Sequence, residues 1–270
     1  MHIVVCIKQV PDTTNVRINP KTNTLMREGV ESIMNPFDEY ALEEGLRLKD
    51  QTGARLSVVS MGPPQAMAVL RDALARGADD AVLVSSRAFG GADTLATSYT
   101  ISKAIVKHCG GTPDLVLFGK QAIDGDTAQV GPGVSEYLGA SLITYAKDIS
   151  LQASGAQTPA FRVTTQMDDG EHVIEGTFPA VITVLKEAHE PRFAPLSGAR
   201  KAAKAPITVL NEKDIEADSA RIGLKGSPTK VVTIFPPPVR GAGEMVDATG
   251  DSAKAVSTIV GFLKEKGLVK

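Results

Sequence analysis

Residues 55–84 read RLSVVSMGPPQAMAVLRDALARGADDAVLV, and this stretch decides the fold class. Its two apolar runs, Arg55–Ser60 and Ala81–Val84, have the low polar content of strands that are buried on both faces of a parallel sheet. Between them, Pro63–Arg76 spaces its large apolar residues near a helical period, with prolines suited to a helix start and Gly77 suited to its end. The stretch therefore predicts a strand–helix–strand unit.

The same alternation continues on both sides of this unit. His2–Ile7 and Asp114–Phe118 predict two more buried strands, and Phe37–Asp50 and Asp93–His108 predict helices. Right-handed crossovers between parallel strands then produce a doubly wound sheet. We therefore predict an α/β fold with a doubly wound, mostly parallel sheet, in which ligands bind beyond the carboxyl ends of the strands.

The second half of the chain has a different texture. Phe161–Gln166, His172–Glu175 and Ala180–Leu185 predict short strands, and Asp168-Asp169-Gly170 has the turn chemistry of a hairpin. We therefore expect an added β-hairpin region beside the parallel sheet.

The remaining chain predicts extensions of this domain. Glu190–Pro206 has little periodicity and predicts a long surface loop. From Gly226 onward, a proline-rich stretch leads to one helix at roughly Asp251–Glu265. An arm that reaches another subunit and a packed linker both remain open interpretations of this tail.

Composition excludes several classes of protein. The 270 residues carry 29 basic and 31 acidic side chains, so the net charge of −2 provides no reason to expect nucleic-acid binding. No apolar run is long enough to span a membrane. The N-terminus lacks the features of a secretion signal, so a cytoplasmic protein is expected. Disulfides are rare in that reducing compartment, so none is expected between Cys6 and Cys109. Cys6 is interpreted as a buried, inert thiol.

The loops that follow the predicted strands are the candidate site. The most informative is Gly119–Pro132, which supplies small residues and hydrogen-bonding side chains and leads into a helix whose N-terminus favours a phosphate. A plain strand–helix loop capped by Asp126 or Thr127 explains the same residues equally well. Gly90–Thr94 has the same ambiguity and leans to the capped loop. Asn35 is a further N-cap candidate, before a proline.

Several chemistries have no support in the sequence. The phosphate-binding pattern G-x-x-x-x-G-K-[ST], a G-x-G-x-x-G after the first strand and a G-x-S-x-G nucleophile turn are all absent. The four histidines lack metal-ligand spacing. We therefore assign no catalytic and no metal-binding residue, and the residues alone indicate an α/β nucleotide binder.

The chain as a whole resembles the electron transfer flavoprotein beta family. The resemblance is carried by Gly119–Pro132, by Asn35-Pro36-Phe37, by Glu190-Pro191-Arg192-Phe193 and by Asp168–Thr183, which is similar to the family signature. It departs from the family at Thr165, where a basic residue is usual, and at His172, where an acidic or amide residue is usual.

The resemblance implies a sheet of the adenine-nucleotide-binding type and a heterodimer with an alpha subunit that carries FAD. It also implies which residues bind a cofactor in this chain. They are Cys6, Asn35, Pro36, Phe37, Asp38, Met61, Asp93, Thr94, Thr97, Gln121, Ala122, Ile123, Asp124, Gly125, Asp126, Thr127, Ala128, Gln129, Val130, Gly131 and Pro132.

The loop sequences are similar to those of the electron-bifurcating branch of the family. That branch implies FAD in the beta subunit and electron exchange with NADH or NAD, with Asp93, Thr94 and Thr97 near the flavin ring. It further implies a low-potential acceptor such as ferredoxin or flavodoxin. The ordinary branch, with a structural AMP in the same cleft, is the alternative. A stand-alone nucleotide-binding regulatory module is a second alternative.

The resemblance also implies partners and an organisation of the chain. Leu196 matches the segment with which the family docks acyl-CoA dehydrogenase-type flavoproteins, and the resemblance favours docking over the alternative of a solvated linker. The expected parts are a nucleotide- or flavin-binding domain at 1–189, a docking loop and linker at 190–225, and an arm at 226–270 that contacts the alpha subunit.

Overall fold

The structure is a computed structural model, and it describes residues 1–12, 17–18, 25–26, 32–151, 160–230, 232, 243 and 245–270. The chain divides into two compact units, Met1–Val231 and Val232–Lys270. The first unit contains a sheet with helices on both faces, and the second contains one helix. The three predicted parts of the chain stay a prediction.

The strands of the described residues are β1 (His2–Cys6), β2 (Gln9–Pro11), β3 (Arg17–Ile18), β4 (Leu25–Met26), β5 (Ser32–Met34), β6 (Arg55–Met61), β7 (Asp80–Val84), β8 (Leu115–Gly119), β9 (Ser141–Leu151), β10 (Phe161–Met167), β11 (Gly170–Gly176), β12 (Ala180–Val184) and β13 (Thr208–Leu210). The helices are α1 (Pro36–Thr52), α2 (Met67–Arg76), α3 (Thr94–Cys109), α4 (Val130–Leu138), α5 (Leu196–Ala202) and α6 (Ser252–Glu265).

Nine strands form one mixed sheet in the order β11-β10-β9-β12-β8-β1-β6-β7-β13. In the part of the sheet ordered β9-β12-β8-β1-β6-β7-β13, neighbouring strands are parallel. At the other edge, β10 is antiparallel to both β9 and β11. The predicted α/β class with a mostly parallel, doubly wound sheet and an added hairpin is therefore confirmed. Asp168 and Asp169 form the turn between β10 and β11, as expected.

Alternation along β1 explains why helices cover both faces of the sheet. Ile3 and Val5 pack with α1 and α2 on one face, whereas Val4 and Cys6 pack with α3 and α4 on the other. All four side chains are buried, so β1 has an apolar core on each side. Helices α1 to α4 shield these cores from water, and this burial is the main favourable contribution to folding.

The helix boundaries follow local chemistry. Gly77 ends α2 with φ at 127°, a conformation that L-residues with side chains rarely adopt, and its N–H donates to the carbonyl of Ala73. Helix α6 begins after Asp251, whose side chain accepts from the N–H of Lys254 at 2.9 Å. Within the described residues, no helix combines the length and the apolar character that crossing a membrane requires.

The interpretation of Glu190–Pro206 as a continuous loop was wrong, because α5 lies inside it. The helix has only seven residues, which is too short for a clear apolar period. It is stabilised by tertiary contacts instead. Arg71 of α2 donates from Nη1 to the carbonyl of Ala202 at 2.5 Å, and the Ala202 side chain is buried.

Candidate functional site

The candidate site is a cleft of about 1100 Å³ at the carboxyl ends of β1, β6, β7 and β8. Strands β1 and β8 are neighbours, and the crossovers that follow them pass to opposite faces of the sheet, so a topological switch point lies between them. Open α/β sheets bind their ligands at such points. The cleft therefore lies where the strand order alone predicts a ligand.

The loop between β8 and α4 forms one wall of the cleft. Asp126 and Ala128 both adopt a left-handed backbone, with φ at 55°. Left-handed residues that alternate with others turn successive N–H groups toward the same side, which is the geometry of an anion-binding concavity. Gln129 occupies the N-cap position of α4 without a side-chain cap. The alternative in which Asp126 or Thr127 caps this helix is therefore wrong.

Asn35 holds this loop in place from the start of α1. Its Nδ2 donates to the carbonyl of Gln121 at 2.8 Å, and its Oδ1 accepts from the N–H of Ile123 at 3.1 Å. Asn35 does occupy the predicted N-cap position, but its side chain makes no capping hydrogen bond to the helix backbone. Its amide therefore binds a loop 86 residues away instead of the helix that follows it.

Asp38 connects the carboxyl ends of β1 and β8, the two neighbouring strands at the switch point. Its Oδ2 accepts from the N–H of Lys8 at 2.7 Å, and its Oδ1 accepts from the N–H of Gly119 at 3.2 Å. Only a glycine fits at 119, because a Cβ there would lie 2.5 Å from Asp38 Oδ1 and from the carbonyl carbon of Phe37. Burial raises the pKa of Asp38 to about 7 against the opposing effect of these hydrogen bonds.

The thiol of Cys6 lies beneath the same point. Burial raises its pKa well above the ordinary value, and the nearby Asp38 acts in the same direction. A protonated thiol is a poor nucleophile. Cys6 and Cys109 are both free cysteines.

Asp93 caps α3 and anchors a distant segment. Its Oδ1 accepts from the N–H of Ala96 at 3.0 Å, as in a capped loop. Its Oδ2 accepts from the N–H and the hydroxyl of Thr229 at 3.0 and 2.9 Å, and its own N–H donates to Ser227 Oγ at 2.8 Å. Both carboxylate oxygens are thus engaged, and Thr229 is drawn into the cleft wall.

The cleft collects most, but not all, of the predicted cofactor-binding residues. Those that line it are Cys6, Asp38, Met61, Asp93, Thr94, Thr97, Gln121, Ala122, Gly125, Thr127, Ala128, Gln129, Val130 and Gly131. Those outside its lining are Asn35, Pro36, Phe37, Ile123, Asp124, Asp126 and Pro132. Leu196 begins α5, is 80% exposed and does not line the cleft.

Further lining residues were not among the predicted cofactor-binding residues, although Lys120 lies in the candidate loop Gly119–Pro132. They include Lys8, Ser85, Ser86, Arg87, Phe89, Lys120 and Thr229. Most of them directly follow a predicted strand, and this position could have identified them. Thr229 gave no such signal, because it reaches the cleft only through its contact with Asp93, 136 residues earlier in the chain.

The charges of the lining suit an anionic ligand. Lys8 is neutralised by Asp124, with Nζ 2.7 Å from the carboxylate. Arg87 and Lys120 have no carboxylate partner among the described residues. Two cations without partners, beside a loop with two left-handed residues, favour a ligand that carries phosphate.

Comparison with known proteins agrees with this architecture. The sequence model of the family described as "Electron transfer flavoprotein domain" matches residues 22–215. The chain is 47% identical over all of its length and all of that of the "Caffeyl-CoA reductase-Etf complex subunit CarD" of Acetobacterium woodii. It is 47% identical to the "Electron transfer flavoprotein subunit beta" of Clostridium acetobutylicum, with 98% of this chain and 99% of that protein covered.

A third relative is "Protein FixA" of Azotobacter vinelandii, which is 48% identical over 89% of this chain and 85% of its own length. Identity of this extent across almost whole chains means a shared fold and a shared family. The chain therefore belongs to the electron transfer flavoprotein family, as a member of its beta-subunit branch.

Proposed function

We propose that this chain pairs with an alpha subunit and binds FAD in the cleft, as the beta subunit of an electron-bifurcating electron transfer flavoprotein. FAD bound there would supply electron exchange with NADH or NAD. The electrons would pass between this site, the FAD of the alpha subunit, an acyl-CoA dehydrogenase-type flavoprotein and a low-potential acceptor such as ferredoxin or flavodoxin.

The size of the cleft is the observation that carries the FAD proposal. Its volume of about 1100 Å³ exceeds the range of roughly 300–1,000 Å³ that is typical of sites for drug-sized ligands. An adenine mononucleotide would fill only part of it, whereas a dinucleotide can extend from the β8 loop to the loop after β7. The absence of a proposed catalytic side chain fits this role, because the protein orients and tunes a flavin that itself carries the chemistry.

The residues of the cleft have distinct proposed roles. The loop around Thr127 and Ala128 would bind phosphate through its N–H groups, whereas those of Gly125 and Asp126 already donate to the carbonyl of Ala122. Thr94 and Thr97, on the first turn of α3, would offer hydroxyl groups to the polar edge of the flavin. Asp93 would act through the placement of Thr229 rather than by direct contact, because its carboxylate is already engaged on both oxygens.

A relative supports the proposed kind of partner. The name of the CarD protein assigns it to a complex with a caffeyl-CoA reductase, which acts on a CoA thioester. By analogy, we propose that a flavoprotein of the acyl-CoA dehydrogenase type docks on this chain near Leu196. The 80% exposure of Leu196 leaves it available for such a contact.

Nucleotide content tests the proposal directly. The chain would be co-expressed with its alpha partner, the purified complex denatured, and the released FAD and AMP quantified by chromatography. We expect about two FAD per heterodimer and no AMP, since each subunit would hold one flavin. One FAD and one AMP would instead identify an ordinary single-flavin carrier with a structural nucleotide in this cleft.

A bulky side chain at Gly125 tests the assignment of the loop. An added Cβ at Gly125 meets no atom within 4 Å, so Gly125→Trp would fill the open cleft without disturbing the packed protein. We expect the variant to lose the nucleotide of the beta subunit while the alpha FAD is retained. Val173→Trp, on the exposed strand β11, is the control and should keep both nucleotides. Unchanged nucleotide content in Gly125→Trp would refute the loop assignment.

A further inference from the structure

Tyr145 adopts a backbone conformation that is unusual for an aromatic residue. Its φ is 61°, in the left-handed region that favours glycine. The residue lies in β9, where the pairing with β12 shifts register between Ile182 and Val184. Its N–H donates to the hydroxyl of buried Thr183 at 3.1 Å. Strain of this kind persists only where surrounding contacts maintain it, and it concentrates at functional sites.

The irregularity orients the Tyr145 ring toward Lys120. The Lys120 ammonium lies 5.4 Å from the centre of that ring, within the range of a cation–π contact. The Lys120 N–H also donates to the carbonyl of Val184 at 2.9 Å, so strand β12 holds both residues. A β-bulge commonly redirects a side chain beside a functional site, and here it provides an aromatic support for a lysine.

Lys120 and Tyr145 differ in whether they line the cleft. The lysine is half-buried and lines the cleft, and Tyr145 is outside the lining. Lys120 is the residue that directly follows β8, so it enters the same loop as Gly125 and Ala128.

Lys120 differs from the other cations of the cleft. Lys8 is occupied by Asp124, and Arg87 is exposed. Within the described part of the chain, Lys120 has no carboxylate within ion-pair distance. A half-buried cation that has only an aromatic face beside it can still take a counter-ion.

We propose that Lys120 binds the phosphate of a nucleotide in the cleft and that Tyr145 is a positioning residue that holds its ammonium at the cleft wall. This inference rests on the proposed nucleotide-binding function and deepens it. A monophosphate and a pyrophosphate share the chemistry that a lysine recognises, so AMP and FAD are both informative probes.

Binding of adenosine, AMP and FAD to the full-length chain, freed of nucleotide, tests the inference by calorimetry. Lys120→Gln should weaken AMP and FAD binding by about tenfold or more, because a charge-assisted hydrogen bond is lost. Adenosine has no phosphate, so its affinity should stay unchanged. The salt dependence of AMP binding should also become shallower, since one fewer charge pairs with the phosphate.

Two substitutions distinguish the effect of the Tyr145 ring on binding from the effect of its strained backbone. Tyr145→Gly removes the ring and tolerates the left-handed backbone, so it should fold well yet weaken AMP binding without affecting adenosine. Tyr145→Phe retains the aromatic face and should restore most of the AMP affinity.

The failures of the two proposals are distinguishable. If the unaltered chain and its alpha complex bind no adenine nucleotide, both proposals are overturned. If AMP and FAD bind but Lys120→Gln leaves their affinities unchanged, only the role of Lys120 is overturned. If Lys120→Gln weakens adenosine and AMP equally, the lysine has a structural role and the inference also fails.

Discussion

Glu44 is a carboxyl group with an exceptional environment. Its side chain is only 1% exposed, so the carboxyl group is almost completely removed from water. Nε2 of His189 lies 3.1 Å from its Oε2, and Arg47 lies 3.5 Å away. Burial raises the pKa of Glu44 to about 7, with Arg47 opposing the shift.

This raised pKa predicts a pH-dependent contribution to stability. The folded pKa of Glu44 lies above the ordinary value of 4.5, so its favourable contribution is complete below pH 4.5 and is lost as the pH rises through 7. Glu44→Gln cannot titrate. The free energy of unfolding of this variant, relative to the unaltered chain, should therefore increase between pH 5 and pH 8.

Urea denaturation at the two pH values measures this difference. Glu136→Gln, at an exposed position of α4, changes the net charge equally and is the control. If the two variants show the same dependence on pH, burial does not control the titration of Glu44.

Helix α1 is the element that connects the cleft to the segment before α5. Its first turn supplies Asp38 to the cleft, and its middle supplies Glu43 to Arg192. Arg192 reaches Glu43 through Nε and Nη2 at 2.9 Å, and its Nη1 reaches Asp50 at 2.9 Å. Because the Glu43 side chain is 6% exposed, this contact anchors the segment more firmly than a surface ion pair would.

Loss of Arg192 should therefore destabilise the fold. Arg192→Ala would leave the Glu43 carboxylate buried without its partner, at a cost of about 2–3 kcal/mol in the free energy of unfolding. The double variant with Glu43→Ala should lose less than the sum of the two single changes.

Equilibrium unfolding in urea provides the measurement. Arg162→Ala removes the exposed Arg162–Glu175 pair, whose side chains are 56% and 42% exposed, and should change stability by at most about 1 kcal/mol. An effect of Arg192→Ala as small as that of this control would contradict the role assigned to α1.

At the scale of the whole molecule, the two compact units have different surfaces. The first unit contains the sheet, both apolar cores and the cleft. In the second unit, α6 exposes Val256, Ile259 and Phe262 by 50% or more of their surface. Exposed apolar side chains on one helix suit an interface, in agreement with the proposed arm that contacts an alpha subunit.

Removal of the second unit should weaken assembly with the alpha subunit but leave the folding of the first unit almost unchanged. A chain that ends at residue 231 retains both apolar cores, so its Tm should lie within about 4 °C of that of the full chain. Its affinity for the alpha subunit should fall, because the proposed arm is missing. Calorimetry measures the Tm, and size-exclusion chromatography measures assembly.

A full-length variant with Val256→Ser, Ile259→Ser and Phe262→Ser is the matched test, because it changes only the exposed apolar residues of α6. It should also assemble poorly. Full assembly of both altered chains would show that the arm does not bind the alpha subunit.

The sequence by itself determined the parallel half of the fold. Arg55–Ser60 and Ala81–Val84 are short, mostly apolar runs, and their length and flanking turn residues favour strands buried on both faces over helix segments. Gly77 marked the end of α2 because the left-handed backbone there excludes most side chains. These signals are local, so no knowledge of distant contacts was needed. The residues alone made Gly119–Pro132 a candidate site, and the resemblance to the family assigned Gly125, Thr127 and Ala128 to it.

Only the tertiary structure decided which strands and side chains meet. Strand β9 was not predicted, because its register shifts break the two-residue alternation that marks a half-buried strand. Asn35 was expected to cap α1, and it bonds the β8 loop instead because that loop packs against the helix start. Thr229 reaches the cleft through Asp93, far away in the sequence. Such contacts depend on chain closure over long separations, which local propensity cannot encode.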